Sequence, residues 1–324
     1  MHLRGISYAF AASLMFGLGA VLAKVLGDGI DATVVGILSL ACGGFLLTIG
    51  LLFAGTPIYP ALRVLRRADW LDIFLLSCPG TAIPLLLIVA GFARTSALEG
   101  GFLLQLNGVA ALIFAVLMLG ERIRLKQGIG TLLLLLGSTL VIFKGAQGVN
   151  WQSGGLGDLL ILLGSIGLGF GYIPAKRLTQ HINTLTLTAV RLLLGAFSLL
   201  PVLIFQLLTG SHSLLWQPSP VILLALAVYI VTNFCLGYLS QQEGLRLLKA
   251  WEMAAITQTV PLFSTAFALL LLHDAITWLQ AGGGVIAILG GIIVSLNNDQ
   301  PEQDMQVEVT MAQGERKDWN PLQK

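Results

Sequence analysis

The chain has 324 residues, of which 56% are hydrophobic and only 10% charged, against about 45–50% and about 25% in ordinary soluble domains. So few charges cannot cover the outside of a globule, which excludes a soluble enzyme, a nucleic-acid binder and a disordered protein. The formal net charge of +2 points to no particular partner.

Ten apolar segments follow one another, at about 5–26, 32–54, 71–92, 97–119, 126–144, 155–176, 185–208, 219–241, 250–272 and 277–297. Each is long enough to cross a bilayer core of about 30 Å as a helix. Helix is required, because an open sheet would leave backbone groups unpaired in lipid. The expected fold class is therefore an all-α integral membrane protein with ten transmembrane helices. The first segment is too long for a signal peptide and runs straight into the second. Cys42, Cys78 and Cys235 sit inside apolar runs and read as small core residues rather than a disulfide framework. The last stretch, 298–324, holds six acids and three bases. It cannot bury enough apolar surface to order itself, so a disordered polar, acidic, cytoplasmic tail is expected there.

Basic residues mark the cytoplasmic side. With the N-terminus inside, the inner segments hold eleven (Arg4, Arg63, Arg66, Arg67, Arg122, Arg124, Lys126, Lys176, Arg177, Arg246 and Lys249) and the outer ends three (Lys24, Arg94 and Lys144). An even number of spans then places both termini in the cytoplasm. Short loops suit the plasma (inner) membrane.

The two halves repeat. Residues 17–46 slid by 152 positions match nine of 30, including Gly17 on Gly169, Gly19 on Gly171 and Lys24 on Lys176. Residues 98–144 slid by 153 match twelve of 47, including Glu99 on Glu252, Gln105 on Gln258, Gly130 on Gly283 and Gly137 on Gly290. Polar matches are informative because such residues are rare in spans. Five spans per copy is odd, so the second copy enters from the opposite side, as in many secondary transporters. The expected units are 1–146, a five-helix repeat; 155–297, its inverted copy; and the tail.

Each repeat ends on an acid, a short polar turn, a Gln and a Gly-rich span. The first reads LGERIRLKQGIGTLLLLLGSTLVIFKG and the second LLHDAITWLQAGGGVIAILGGIIVSLN. This resembles the EamA-type branch of the drug/metabolite transporter superfamily, over about residues 5–297. The second copy departs at His273, Asp274 and Ala281, where Gly, Glu and Gly are usual. The resemblance implies a transporter, and the family is similar to exporters of amino acids, nucleosides and many other metabolites.

Ionisable and polar residues inside spans are expensive and mark candidate sites. Arg191, about 10 Å into the seventh span, is read as an anchor for a substrate carboxylate or phosphate, which a planar fork suits; snorkelling to the inner surface or pairing with an acid such as Glu252 is the alternative. Gln105 and Asn107 in the fourth span, and Thr257 and Gln258 in the ninth, lie at matched depth. Pro261 frees the carbonyl of Thr257, and polar groups beside a broken helix point to a binding site. Asn233 and Tyr172 are further cavity candidates. Pro79, Gly80, Thr81 and Pro84 form a kink-prone patch. Glu99 and Glu252 are candidate coupling or gating residues, alongside Pro261, with helix capping as the bland alternative. Lys24, with Asp28, and Lys176 read as solvated span ends. Glu121 and Asp274 read as structural, closing helices at tight turns. The cavity is expected between spans one, three, four, six, eight and nine.

No nucleotide-binding loop, metal-ligand spacing or nucleophilic triad occurs, so no cofactor, no metal and no enzyme is expected. The expected partners are the lipid bilayer and a small-molecule substrate, with a proton or cation as coupling ion and a homodimer left open; nucleic acid is not expected. The favoured function is a secondary active exporter of a small polar or amphipathic metabolite, such as an amino acid. A translocator of phosphorylated metabolites and a non-transporting membrane regulator are the alternatives. A transporter keeps its flux when residues 298–324 are deleted, whereas a regulator acting through that tail loses its effect. Flux across the membrane in the truncated chain is the measurement.

Overall fold

The computed structural model describes residues 2–27, 29–53, 55, 65–92, 97–142, 155–209, 219–272 and 277–296. The acidic tail, Asp28, the loop holding His273 and Asp274, and the side chains of Lys24 and Glu99 lie outside that description.

The elements in order are α1 (His2–Gly27), α2 (Ala32–Phe53), α3 (Arg67–Ser77), α4 (Ile83–Phe92), α5 (Ala97–Leu119) and α6 (Leu125–Ile142). The second half holds α7 (Gly155–Leu178), α8 (Thr184–Thr209), α9 (Pro220–Tyr229), α10 (Tyr238–Leu247), α11 (Ala250–Thr257), α12 (Val260–Leu272) and α13 (Trp278–Leu296). A π-helical segment, Cys78–Ala82, joins α3 to α4 and a second, Ile230–Gly237, joins α9 to α10. Among the described residues these thirteen helices fall at the places of the ten apolar segments. Seven are long and apolar enough to cross a membrane, and shorter apolar helices at Leu103–Leu119, Leu125–Leu140 and Ala281–Val294 stand at the other three places.

The halves pack about a pseudo-two-fold axis, and the contacts of the glycines are reciprocal. A methyl group on Gly17 would strike Phe263 and Ser264, while one on the matched Gly169 would strike Ala110 and Ala111, the repeat counterparts of those two residues. Gly19 lies against Asn233, and Gly171 against Gly80, the counterpart of Asn233. On α6 and α13, Gly137 faces Ala287 and the carbonyl of Gly283, while Gly290 faces Leu134 and the carbonyl of Gly130. In lipid no hydrophobic force pulls helices together, so close backbone approach at small residues supplies the packing.

Both π-helical segments fall at the same place in the repeat, in the third and eighth spans. In the third, Pro79 lacks an amide donor, and two residues on Thr81 Oγ1 donates to the Leu76 carbonyl at 2.7 Å. A wider turn here is the expected response to a proline in a long helix.

Gly137→Ala forces a methyl into the Ala287 backbone and should destabilise the detergent-solubilised protein by about 1–3 kcal/mol. Gly128 in α6 has open space around it, so Gly128→Ala should leave the melting temperature unchanged or slightly raised. The paired melting temperatures are the measurement.

Candidate functional site

The ninth span is broken where the sequence places its polar patch. α11 stops at Thr257, and a two-residue turn at Gln258 and Thr259 precedes α12, with Pro261 in its first turn. Thr257 Oγ1 donates to the Met253 carbonyl at 2.7 Å and Thr259 Oγ1 to that of Ile256 at 2.8 Å. These bonds satisfy acceptors near the end of the short helix. The turn swings Gln258 across the axis. Its Nε2 donates to the carbonyl of Gln105 at 2.6 Å, and its amide lies over Gly108. The repeat-matched glutamines thus meet, with Gly108 standing in α5 where Pro261 stands in α12.

A cavity of about 440 Å³ opens beside this contact. Gln105 and Asn107 line it from α5, Tyr172 from α7, Arg191 from α8, Asn233 from the second π-helical segment, and Thr257, Gln258 and Pro261 from the broken ninth span. Phe16, Tyr229 and Tyr238 add aromatic surface. All seven polar positions proposed from the sequence as substrate contacts therefore border one space. Residues of the third span do not line it; that span contributes from behind, through Thr81.

Arg191 is 4% exposed, and it is held by neutral groups. Its Nε donates to Thr81 Oγ1 at 2.9 Å, and its Nη1 donates to Gln241 Oε1 at 3.2 Å. The guanidinium carbon lies 4.3 Å from the centre of the Tyr238 ring, a cation–π contact. Gln241 in turn donates through Nε2 to the Tyr172 hydroxyl at 3.2 Å. The alternative of an Arg191–Glu252 pair is thus not what the structure forms. Gln241 is the residue the sequence reading missed. It lies three residues beyond Tyr238, on the same helix face, at the edge of the predicted span.

Glu252 lies away from the cavity, at the end of the bundle where the chain begins. Its Oε2 accepts from the Lys249 amide at 3.1 Å and lies 3.5 Å from His2 Nε2, so it caps α11 although Lys249 stands where the first repeat has Ser96. Glu121 also serves α11, from the other half of the molecule: it accepts from the amides of Ala250 at 2.8 Å and Trp251 at 3.1 Å. Carboxylates at a helix N-terminus satisfy free donors and match the dipole. Lys176 is not solvated as expected. Its Nζ donates to the carbonyls of Leu245 and Leu248. Leu245 lines the cavity, so Lys176 ties α7 to the end of α10 beside it, within the second half.

Burial holds the Glu121 carboxyl above the ordinary carboxylate range, against the two amides and Lys176, which pull it down. Among the described residues, no group of three or more His, Cys, Asp or Glu is placed to hold a metal ion.

Known proteins fit this architecture. The EamA-like transporter family matches residues 3–143 and 155–296. An uncharacterized transporter of Methanothermobacter thermautotrophicus is 22% identical over 308 residues, covering 91% of this chain and 87% of its own. The uncharacterized transporter YetK of Bacillus subtilis is 25% identical over 296 residues, covering 90% and 87%. A solved crystal structure superposes with a TM-score of 0.77 at 17% identity, covering 90% of this chain and 96% of that one, which shows the fold.

Glu121→Ala removes two acceptors from α11. It should cost about 1 kcal/mol and speed amide exchange at Ala250 and Trp251 roughly fivefold. The raised carboxyl pKa means that the folded state binds this proton more tightly than the unfolded one. Its contribution is fully present below the ordinary carboxylate value and lost as pH rises through the folded value. Glu121→Gln should therefore flatten that part of the stability–pH profile. Hydrogen–deuterium exchange and melting at several pH values check both.

Proposed function

Because the chain belongs to the EamA-like transporter family, a family of multi-pass membrane proteins, we propose that it is a secondary active exporter. Its substrate would be a small polar or amphipathic metabolite, moved by alternating access across the plasma (inner) membrane with both termini cytoplasmic. The observation that carries this reading is the cavity of about 440 Å³ on the axis between two inverted halves. That volume lies within the range of small-molecule sites. Inverted halves offer two nearly equivalent packings, one open to each side, and substrate shifts the balance between them.

In this reading Gln105, Asn107, Tyr172, Arg191, Asn233, Thr257 and Gln258 contact the substrate. The break at Gln258–Thr259, fixed by Pro261, is the hinge that lets α11 and α12 move separately. The contacts of Glu121 with Ala250 and Trp251 and of Glu252 with His2 close the cytoplasmic end, and opening inward requires them to break. Glu252 and Glu99 are the proposed coupling or gating acids, with a proton or cation as the coupled ion. The eleven-to-three bias of basic residues supports the orientation.

Cells overexpressing the protein should resist one class among toxic carboxylate, amino-acid, nucleoside and cationic-drug analogues. Gln258→Ala and Arg191→Ala should each lower efflux at least tenfold with membrane insertion unchanged. Wild-type efflux in both variants would overturn the site.

A further inference from the structure

Charge balance narrows the substrate class, and this step rests on the transporter reading above. Arg191 is the only charged side chain among the described residues that line the cavity. Its bonded partners, Thr81 and Gln241, are neutral, and its ring contact, Tyr238, is aromatic. A guanidinium has five N–H donors, and these two hydrogen bonds use two of them. A full positive charge with spare donors therefore stands at the wall of the cavity. A buried charge of this kind is stabilised by one opposite charge with matched hydrogen bonds.

The solutes differ in what they would leave uncompensated. A monocarboxylate brings one negative charge and two coplanar acceptor oxygens, so the filled cavity is neutral. A zwitterionic amino acid brings an ammonium as well, which would face only amides and hydroxyls among the described lining groups. A cationic amine would stand against Arg191 itself. A phosphate dianion would keep one charge without a partner. Besides these neutral polar groups the wall is apolar and aromatic, with Phe16, Tyr172, Tyr229 and Tyr238 in the lining, and suits a flat apolar body. One face of Tyr238 is taken by Arg191 and its ring meets Phe16 edge-on at 5.4 Å. The anchor is thus braced before any ligand enters, which limits the ordering that binding requires.

We propose that the substrate is an amphipathic monocarboxylate with an aromatic or similarly flat apolar body, bound as the anion through Arg191. Gln241 is the positioning residue: it holds the guanidinium in place while leaving its charge intact. A monoanion leaving a cell with a negative interior moves down the membrane potential, which fits the direction proposed above.

The test uses four probes on one skeleton: phenylacetate, phenylalanine, phenethylamine and phenyl phosphate. Each is dialysed to equilibrium against the full-length protein in lipid nanodiscs, with empty nanodiscs as the blank. Phenylacetate should bind at least tenfold more tightly than the other three, and Arg191→Gln should remove that preference. Gln241→Glu keeps the shape and places a carboxylate within reach of the guanidinium. It should weaken phenylacetate at least tenfold and favour phenethylamine or phenylalanine, and it serves if Arg191→Gln fails to fold. Phenylalanine, phenethylamine or phenyl phosphate binding the wild type as tightly as phenylacetate would overturn the proposal. So would no binding by any probe, or an unchanged preference in Gln241→Glu. Gln258-dependent efflux of a zwitterion or cation would discard the monoanion and leave the transporter reading standing. Loss of both would discard both.

Discussion

Close approach of helices at glycine is the constraint on which the remainder depends. Lipid is as apolar as leucine, so spans gain little by hiding apolar side chains from one another. Contact at Gly17, Gly19, Gly137, Gly169, Gly171 and Gly290 brings backbones within reach across the axis. Because each contact has a counterpart in the other half, the two repeats pack in the same way from opposite directions. Larger side chains there would separate the spans and dissolve the space between them.

That packing decides where polar groups go. Backbone donors and acceptors in a membrane must find partners within the protein, so irregular backbone survives where side chains or neighbouring helices can serve it. The π-helical segments and the break at Gln258–Thr259 are such places, and the second π-helical segment and the break line the cavity. Thr81 serves both needs, since it donates to the Leu76 carbonyl at the end of α3 and accepts from Arg191. The arginine is affordable in the bundle because neutral acceptors and a ring surround it. Its charge stays uncancelled, which gives the site a sign.

The polar latch at the end where the chain begins has a different character. Lys176 and Glu121 act on free backbone groups at the ends of α10 and α11 rather than on each other. The Glu121 bonds are made by one half of the molecule on the other, and the Lys176 bonds lie within the second half.

The ten spans, the inverted duplication and the family were legible from residue order, because apolar runs and matched Glu, Gln and Gly at a constant offset survive without any coordinates. Gln105, Asn107, Gln258 and Arg191 stood out for the same reason, since polar groups inside apolar runs are costly and conspicuous. Gln241 did not stand out: it sits at the edge of its span, where a glutamine is unremarkable until Arg191 is found 3.2 Å away. Nor did the sequence show that Glu252 would cap a helix behind a lysine, or that Lys176 would turn inward to two carbonyls. Periodicity and composition report how each residue meets lipid or water. Which side chains share a cavity, and which charge is left without a counter-ion, depends on contacts between residues 153 and more positions apart, and only the packed helices decide those.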